Sequence, residues 1–178
     1  MDEWPEVYER YSSLVWATVY RILVNHAESL DCCQDVFTEV LSRPPKQPVR
    51  NWPAFLKWLA TRRAIDWLRR RKVDAARIHT NGEVSVVPAT AFGADEALIS
   101  AELTDRLKQE LSRLPEQQAE AFWLHSIEEL SYEEVAAVLG VETNHVGVLI
   151  HRARQRLREW LADLKPVTGN EQRIRKTV

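Results

Sequence analysis

Leu130-Ser131-Tyr132-Glu133-Glu134-Val135-Ala136, continuing through Gly140 and Val141-Glu142 into Thr143-Asn144-His145-Val146, is the stretch on which the fold turns. Ser131 and Glu134 stand at the spacing of a capping box, in which a hydroxyl and a carboxylate each satisfy one exposed amide at a helix start. Gly140 readily takes the left-handed conformation that ends such a helix. Beyond the turn, Val146, Ile150, Ala153, Leu157, Leu161 and Leu164 recur at helical spacing and predict a last helix with that stripe inward. Two helices joined in this way form a helix-turn-helix layout.

Upstream of it, Ile99, Leu103, Leu107 and Leu111 mark one face of a helix from about Asp95 to Ser112, and Pro115 opens another anchored by Phe122 and Trp123. Residues 81–94 contain Asn81-Gly82, Pro88 and Gly93 and show no helical period, so they read as an interdomain linker. A short strand at Val84 to Val87 would find no partner. In the first half, Val7, Tyr11, Leu14, Val15, Thr18 and Ile22 form the stripe of a helix from about Glu3 to Leu23. A second helix is expected to start at Ser29 or Asp31 and run to about Leu41, with Leu30, Cys33, Phe37 and Val40 inward. The prolines of Arg43-Pro44-Pro45-Lys46-Gln47-Pro48 stop it. Asn51 caps a third helix that places Pro53 in its first turn, carries Trp52, Phe55, Leu56, Leu59, Ala60, Ile65 and Leu68, and ends near Lys72 with room for a break inside. The fold class that follows is all-α. Two small helical domains, 1–80 and 95–165, are joined by a flexible linker at 81–94 and followed by a flexible basic tail at 166–178 that contains Arg173, Arg175 and Lys176.

Composition supports this class. The 178 residues include five glycines, and alternating apolar runs of strand type are nearly absent. No apolar run approaches the roughly 20 residues that span a bilayer, and Met1-Asp2-Glu3-Trp4-Pro5 is acidic where a secretion signal needs a basic stretch, so the chain is expected to be cytoplasmic, without membrane insertion. Cys32 and Cys33 are adjacent, a spacing that suits neither an ordinary disulfide nor a zinc site, and Cys33 reads as a buried core thiol. The five histidines, His26, His79, His125, His145 and His151, show no metal-ligand spacing with cysteine, and no phosphate loop or nucleophile motif is present. No catalytic centre, metal or cofactor is predicted.

The net charge of −2 hides two basic clusters. Arg62, Arg63, Arg69, Arg70, Arg71 and Lys72 stand against a single acid, Asp66, between positions 62 and 72, while Arg152, Arg154, Arg156 and Arg158 form the second cluster. A helix C-terminus attracts positive charge through its backbone dipole alone. The first cluster exceeds what a dipole explains, and phosphate contact is the more economical account.

Two stretches resemble the signature regions of bacterial sigma factors. Tyr8-Glu9-Arg10-Tyr11, Asp31-Cys32-Cys33-Gln34-Asp35-Val36-Phe37 and Ala64-Ile65-Asp66-Trp67-Leu68-Arg69-Arg70-Arg71 resemble region two. Leu114-Pro115-Glu116, Leu130 to Ala136 and His151-Arg152-Ala153-Arg154 are similar to region four. The short span between them resembles the extracytoplasmic-function (ECF) class, which lacks the long amino-terminal region and the middle domain. The resemblance implies a non-enzymatic factor that binds core RNA polymerase and directs promoter-specific transcription initiation, with an anti-sigma factor as a further partner. It implies a polymerase-docking face at Asp31, Gln34, Asp35 and Thr38. It implies contact with the minus-ten element at Arg62, Arg63, Arg69, Arg70, Arg71 and Lys72, where Trp52, Trp58 and Trp67 stack on unpaired bases or pack in the core. It also implies contact with the minus-thirty-five element, with Thr143, Asn144 and His145 at base edges and His151, Arg152, Arg154 and Arg156 nearby for bases or phosphates.

The chain departs from the family pattern at Gly147 and Leu149, where relatives present basic residues, and at Arg62, where relatives often carry a small polar residue. On this reading Leu149 is exposed and puts direct recognition by the last helix in question. A sigma-like adaptor without specific promoter recognition is therefore one alternative. A helix-turn-helix transcriptional regulator that binds an operator is another, opposed by a first half that offers an acidic face and a basic cluster in place of a signal-receiving domain.

Overall fold

The structure, a computed structural model, describes residues 4–45, 47–78 and 94–162, with side chains for 5–45, 47–73, 104–160 and Ala162. Seven helices make up the regular structure of the described residues: α1 (Trp4–Leu23), α2 (His26–Ser42), α3 (Trp52–Ile78), α4 (Ala94–Arg113), α5 (Glu116–Ser126), α6 (Tyr132–Leu139) and α7 (Thr143–Ala162). None is long and apolar enough to cross a membrane. The linker reading at 81–94, including the strand at 84–87, falls almost wholly outside the described residues, as do the tail, Leu164, and the side chains of Ile99, Leu103 and Leu161.

Helices α1, α2 and α3 pack against one another in the first half. Val7, Val15, Thr18 and Ile22 line the buried side of α1, as their spacing predicts, together with Val19 and Leu23. Helix α2 starts earlier than expected. Asn25, not Ser29 or Asp31, caps it by accepting the Glu28 amide at 3.0 Å, and the buried Ser29 turns its hydroxyl back to the Asn25 carbonyl at 2.5 Å. Its inward stripe is also rotated relative to the expected one, because α2 must bury a face against α1 and α3 together. Ser29, Cys32, Val36, Phe37 and Val40 are buried, Cys33 is only partly so, and Leu30 is exposed. The buried thiol is therefore that of Cys32, and desolvation pushes it up to about 12 and that of Cys33 up to about 11. Both stay protonated and unreactive near neutral pH.

Helix α3 is continuous and extends to Ile78, past the expected end near Lys72. Asn51 begins it as expected, its side-chain carbonyl accepting the Ala54 amide at 3.1 Å. Val24 and Glu129 occupy left-handed backbone at φ 51° and 59°. For a β-branched valine that conformation is strained, and here it makes the sharp exit from α1 toward the Asn25 cap.

In the second half the capping box forms as read: the Glu134 amide donates to the Ser131 hydroxyl at 3.2 Å, and the Ser131 amide donates to the Glu134 carboxylate at 2.9 Å. Gly140 ends α6 at φ +66°. Ala121, Leu124, Leu130, Val135, Ala136, Val146, Leu149 and Ile150 close the core of the helix-turn-helix. Pro115 stands just outside α5, where its carbonyl accepts the Gln118 and Ala119 amides. Trp123 is buried and Phe122 half-buried, so both anchor α5 as expected.

The two halves also pack on each other, which the linker reading did not anticipate. Leu111, Leu114, Ala119, Trp123, Ala153 and Leu157 join the same buried cluster as the first-half core, and Ala54 of α3 joins the core of the helix-turn-helix.

Candidate functional site

The α2 face away from the core presents Asp31, Gln34, Asp35 and Thr38, all exposed. The one-residue rotation of the stripe leaves this quartet outward, since its members lie across the helix from Cys32, Val36 and Val40. Asp35 is not wholly free: the Trp67 indole donates to it at 3.4 Å, and with Thr38, Glu39, Ser42, Arg43 and Arg63 it lines a shallow recess.

The first basic cluster divides by partner. Arg63 pairs with Glu39 of α2, and Arg71 with Glu28 at 3.5 Å. Arg62 reaches Glu116 of α5 at 3.2 Å and lies 5.8 Å from the centre of the Trp58 ring. Arg69 pairs with Asp66 at 3.1 Å and donates to the carbonyls of Ser112 at 3.5 Å and Leu114 at 3.1 Å. Arg70 and Lys72 are exposed and have no ion-pair partner among the described residues. Trp52, Trp58 and Trp67 are each half-buried against the core. This is an intermediate state that pure core packing would not produce.

On α7, Thr143, Asn144, His145, His151, Arg152, Arg154 and Arg156 are all exposed, and Arg154 also donates to the Ser126 hydroxyl at 3.1 Å. Leu149 is 5 % exposed, contrary to its sequence reading. It follows Val146 by three residues and precedes Ala153 by four, which puts it on the inward face against α5 and α6. The outward apolar residue is Val148, 41 % exposed, on a face shared with Asn144, His145, Arg152 and Arg156. Gly147 is half-buried beside Tyr132, whose ring carbon would meet an added Cβ at 3.5 Å, an ordinary contact. The missing side chain there is therefore not a steric requirement.

Three buried carboxylates have no counterpart in the sequence reading. Glu110 is enclosed by Arg106 at 3.2 Å and Arg113 at 2.7 Å. Glu120 accepts from the Trp58 indole at 3.3 Å, and burial pushes its carboxyl up to about 7, helped by Glu116 and Asp66 and opposed by that hydrogen bond and by Arg62. Glu128, in the α5–α6 loop, has a side chain 1 % exposed and is held at 2.7 Å by Arg21, at 3.4 Å by Lys57 and at 3.3 Å by the Thr18 hydroxyl. Glu120 could have been noticed between Ala119 and Ala121, four residues before Leu124. Glu128 sits in a loop, where periodicity carries no signal.

Residues 7–73 match the model of sigma-70 region 2, and residues 104–157 that of sigma-70 region 4. The ECF RNA polymerase sigma factor SigK of Mycobacterium sp. (strain KMS) is 30 % identical over 138 residues, covering 76 % of this chain and 71 % of SigK. The chain belongs to the ECF sigma factors. SigW of Bacillus subtilis (strain 168), another ECF sigma factor, is 28 % identical over 170 residues, spanning 92 % of this chain and 91 % of SigW. The fold is shared with the sigma factor RpoE of Bartonella quintana, solved in complex with the anti-sigma factor NepR, at a TM-score of 0.53 and 21 % identity over 93 % of this chain and all of RpoE. As an ECF sigma factor the chain is an initiation factor of a non-enzymatic family. It binds core RNA polymerase and promoter DNA, and it directs transcription to particular promoters.

Proposed function

We propose that the work divides between the two halves, with a domain of residues 1–80 docking on polymerase and engaging the minus-ten element, and a domain of residues 95–165 reading the minus-thirty-five element. The observation that carries this reading is the outward face of α7. Asn144 and His145 stand exposed at its start and Arg152 and Arg156 further along, on a helix whose other side is locked into the core by Val146, Leu149, Ile150 and Ala153. A rigid helix presenting short polar residues first and guanidinium groups later suits base edges followed by phosphates. Val148 adds an apolar contact of the kind a thymine methyl accepts.

The burial of Leu149 removes the ground for an adaptor that lost promoter recognition, since the exposed leucine was the reason to consider one. Family membership leaves the operator-binding regulator without support. On the first half, Asp31, Gln34, Asp35 and Thr38 supply the docking face, and Arg70 and Lys72 are the basic residues of the cluster that have no ion-pair partner among the described residues to give up before meeting phosphate. The factor acts in the cytoplasm and carries out no chemistry of its own. An anti-sigma factor is the further partner that the complex of RpoE supports. Reconstituted transcription with bacterial core polymerase on a randomised promoter library tests the assignment. Wild type is expected to select both an upstream and a downstream element, and Asn144→Ala to alter only the upstream one. An upstream preference that Asn144→Ala and His145→Ala leave unchanged would remove direct reading by α7.

A further inference from the structure

Leu68, Arg71 and Lys72 share one face of α3 at spacings of three and four, and Asp105, Lys108, Gln109 and Ser112 share one face of α4 in the same way. Between the two helices these faces line a cavity of about 410 Å³. That volume lies within the range of about 300–1,000 Å³ usual for small-ligand sites. The lining divides by chemistry. Buried Leu68 gives an apolar patch, the exposed Gln109 amide and the Ser112 hydroxyl give neutral hydrogen-bonding groups, and three cations stand against one acid, Asp105.

The cations are weakly held. Lys72 is exposed and has no ion-pair partner among the described residues, and Arg71 reaches Glu28 only at 3.5 Å, with its own side chain 62 % exposed. Lys108 is the telling one. Its side chain is only 17 % exposed, yet its partner among the described residues is Asp105 at 3.3 Å, a carboxylate that is itself 72 % exposed. An enclosed ammonium carries three donors and is unfavourable unless well paired, and water around Asp105 screens this pair. An anion in the cavity would meet the donors of Lys108 left over, with Lys72 and the Arg71 guanidinium beside them.

The geometry points to a nucleotide site between α3 and α4, with Arg71, Lys72 and Lys108 on the phosphates, the base laid on Leu68, and Gln109 within the lining for the base edge or the ribose. Inorganic phosphate would use the cations and leave Leu68 and most of the volume unfilled. A sugar phosphate has no apolar face to set on Leu68. A nucleotide satisfies both parts of the lining.

Calorimetric titration of the full chain with ATP and with GTP, in magnesium-free buffer at fixed ionic strength, tests the site, with inorganic triphosphate and adenosine as parallel titrants. Saturable one-site binding of at least one nucleotide is expected, with Kd below about 1 mM and about tenfold tighter than either inorganic triphosphate or adenosine. Lys72→Gln and Lys108→Gln should each weaken it by about tenfold, since each removes a charge-assisted contact. Arg50→Gln removes the same charge at an exposed position outside the cavity and should change nothing. Circular dichroism checks the fold of each variant, and exposed Lys72 keeps the test valid should Lys108→Gln fail to fold. Absence of saturable binding of both nucleotides to wild type would overturn the site, as would full affinity in Lys72→Gln or an equal loss in Arg50→Gln. Inorganic triphosphate bound as tightly as the nucleotides would overturn it too, leaving a cleft for any polyanion, the phosphate backbone of nucleic acid included.

Discussion

Leu149→Ala and Val148→Ala are neighbouring truncations on one helix, and the structure gives them opposite weights. Leu149 is 5 % exposed within the helix-turn-helix core, whereas Val148 is 41 % exposed. Removing three carbons from Leu149 forfeits about 0.8 kcal/mol of transfer free energy for each, or about 2.4 kcal/mol. The cavity left behind adds to that at about 24 cal/mol per Å³, less whatever the surrounding side chains collapse to fill. A loss of about 3 kcal/mol results. Val148→Ala loses part of a half-exposed side chain but gains helix propensity of roughly 0.5 kcal/mol, so its net effect is within about 0.5 kcal/mol of zero. Urea denaturation followed by far-ultraviolet circular dichroism measures both, and the midpoints are comparable if the slopes agree. The same geometry separates two lysines. Leu149→Lys buries an ammonium and is expected to unfold the second half, while Val148→Lys folds normally and steepens the salt dependence of promoter binding by roughly one unit. Equal stability losses for the two alanine variants, or a well-folded Leu149→Lys that binds DNA more tightly, would refute the placement of Leu149 in the core.

Gly147→Ala is expected to stabilise the protein by about 0.5–1 kcal/mol, visible as a raised melting temperature, because the helix gains propensity and the new methyl meets Tyr132 at ordinary contact distance. Replacing Arg70 and Lys72 together by alanine should flatten the plot of log affinity against log salt by roughly two units while leaving stability unchanged, since neither side chain has an ion-pair partner to lose among the described residues. Glu120, with its carboxyl raised from 4.5 to about 7, binds a proton more tightly in the folded than in the unfolded chain. Its contribution to stability is therefore complete below pH 4.5, declines as pH rises through about 7 and is flat above, a fall of roughly 3 kcal/mol that wild type shows and Glu120→Gln lacks in parallel pH titrations of unfolding.

The helical class, the helix-turn-helix and its capping box were legible in the sequence because each depends on residues within a turn or two of one another. Ser131, Glu134 and Gly140 act through local backbone amides and a local dihedral angle, so their roles survive without knowledge of what packs above them. The polar quartet of α2, with its two aspartates, and the arginines of α7 were legible for a similar reason, since a polar or charged residue on an amphipathic helix faces water unless something specific pairs it. Tertiary structure decided what depended on a second element. A spacing of three or four leaves the edge of an apolar stripe ambiguous by one residue, and only packing against both α1 and α3 chose Cys32 over Cys33, as only packing against α5 and α6 turned Leu149 inward. Tertiary structure alone also set the state of the first basic cluster. Whether a guanidinium is free or already holds a carboxylate depends on residues as distant in sequence as Arg62 is from Glu116, and Glu128 is buried because three partners from α1 and α3 converge on a loop that has no period to read.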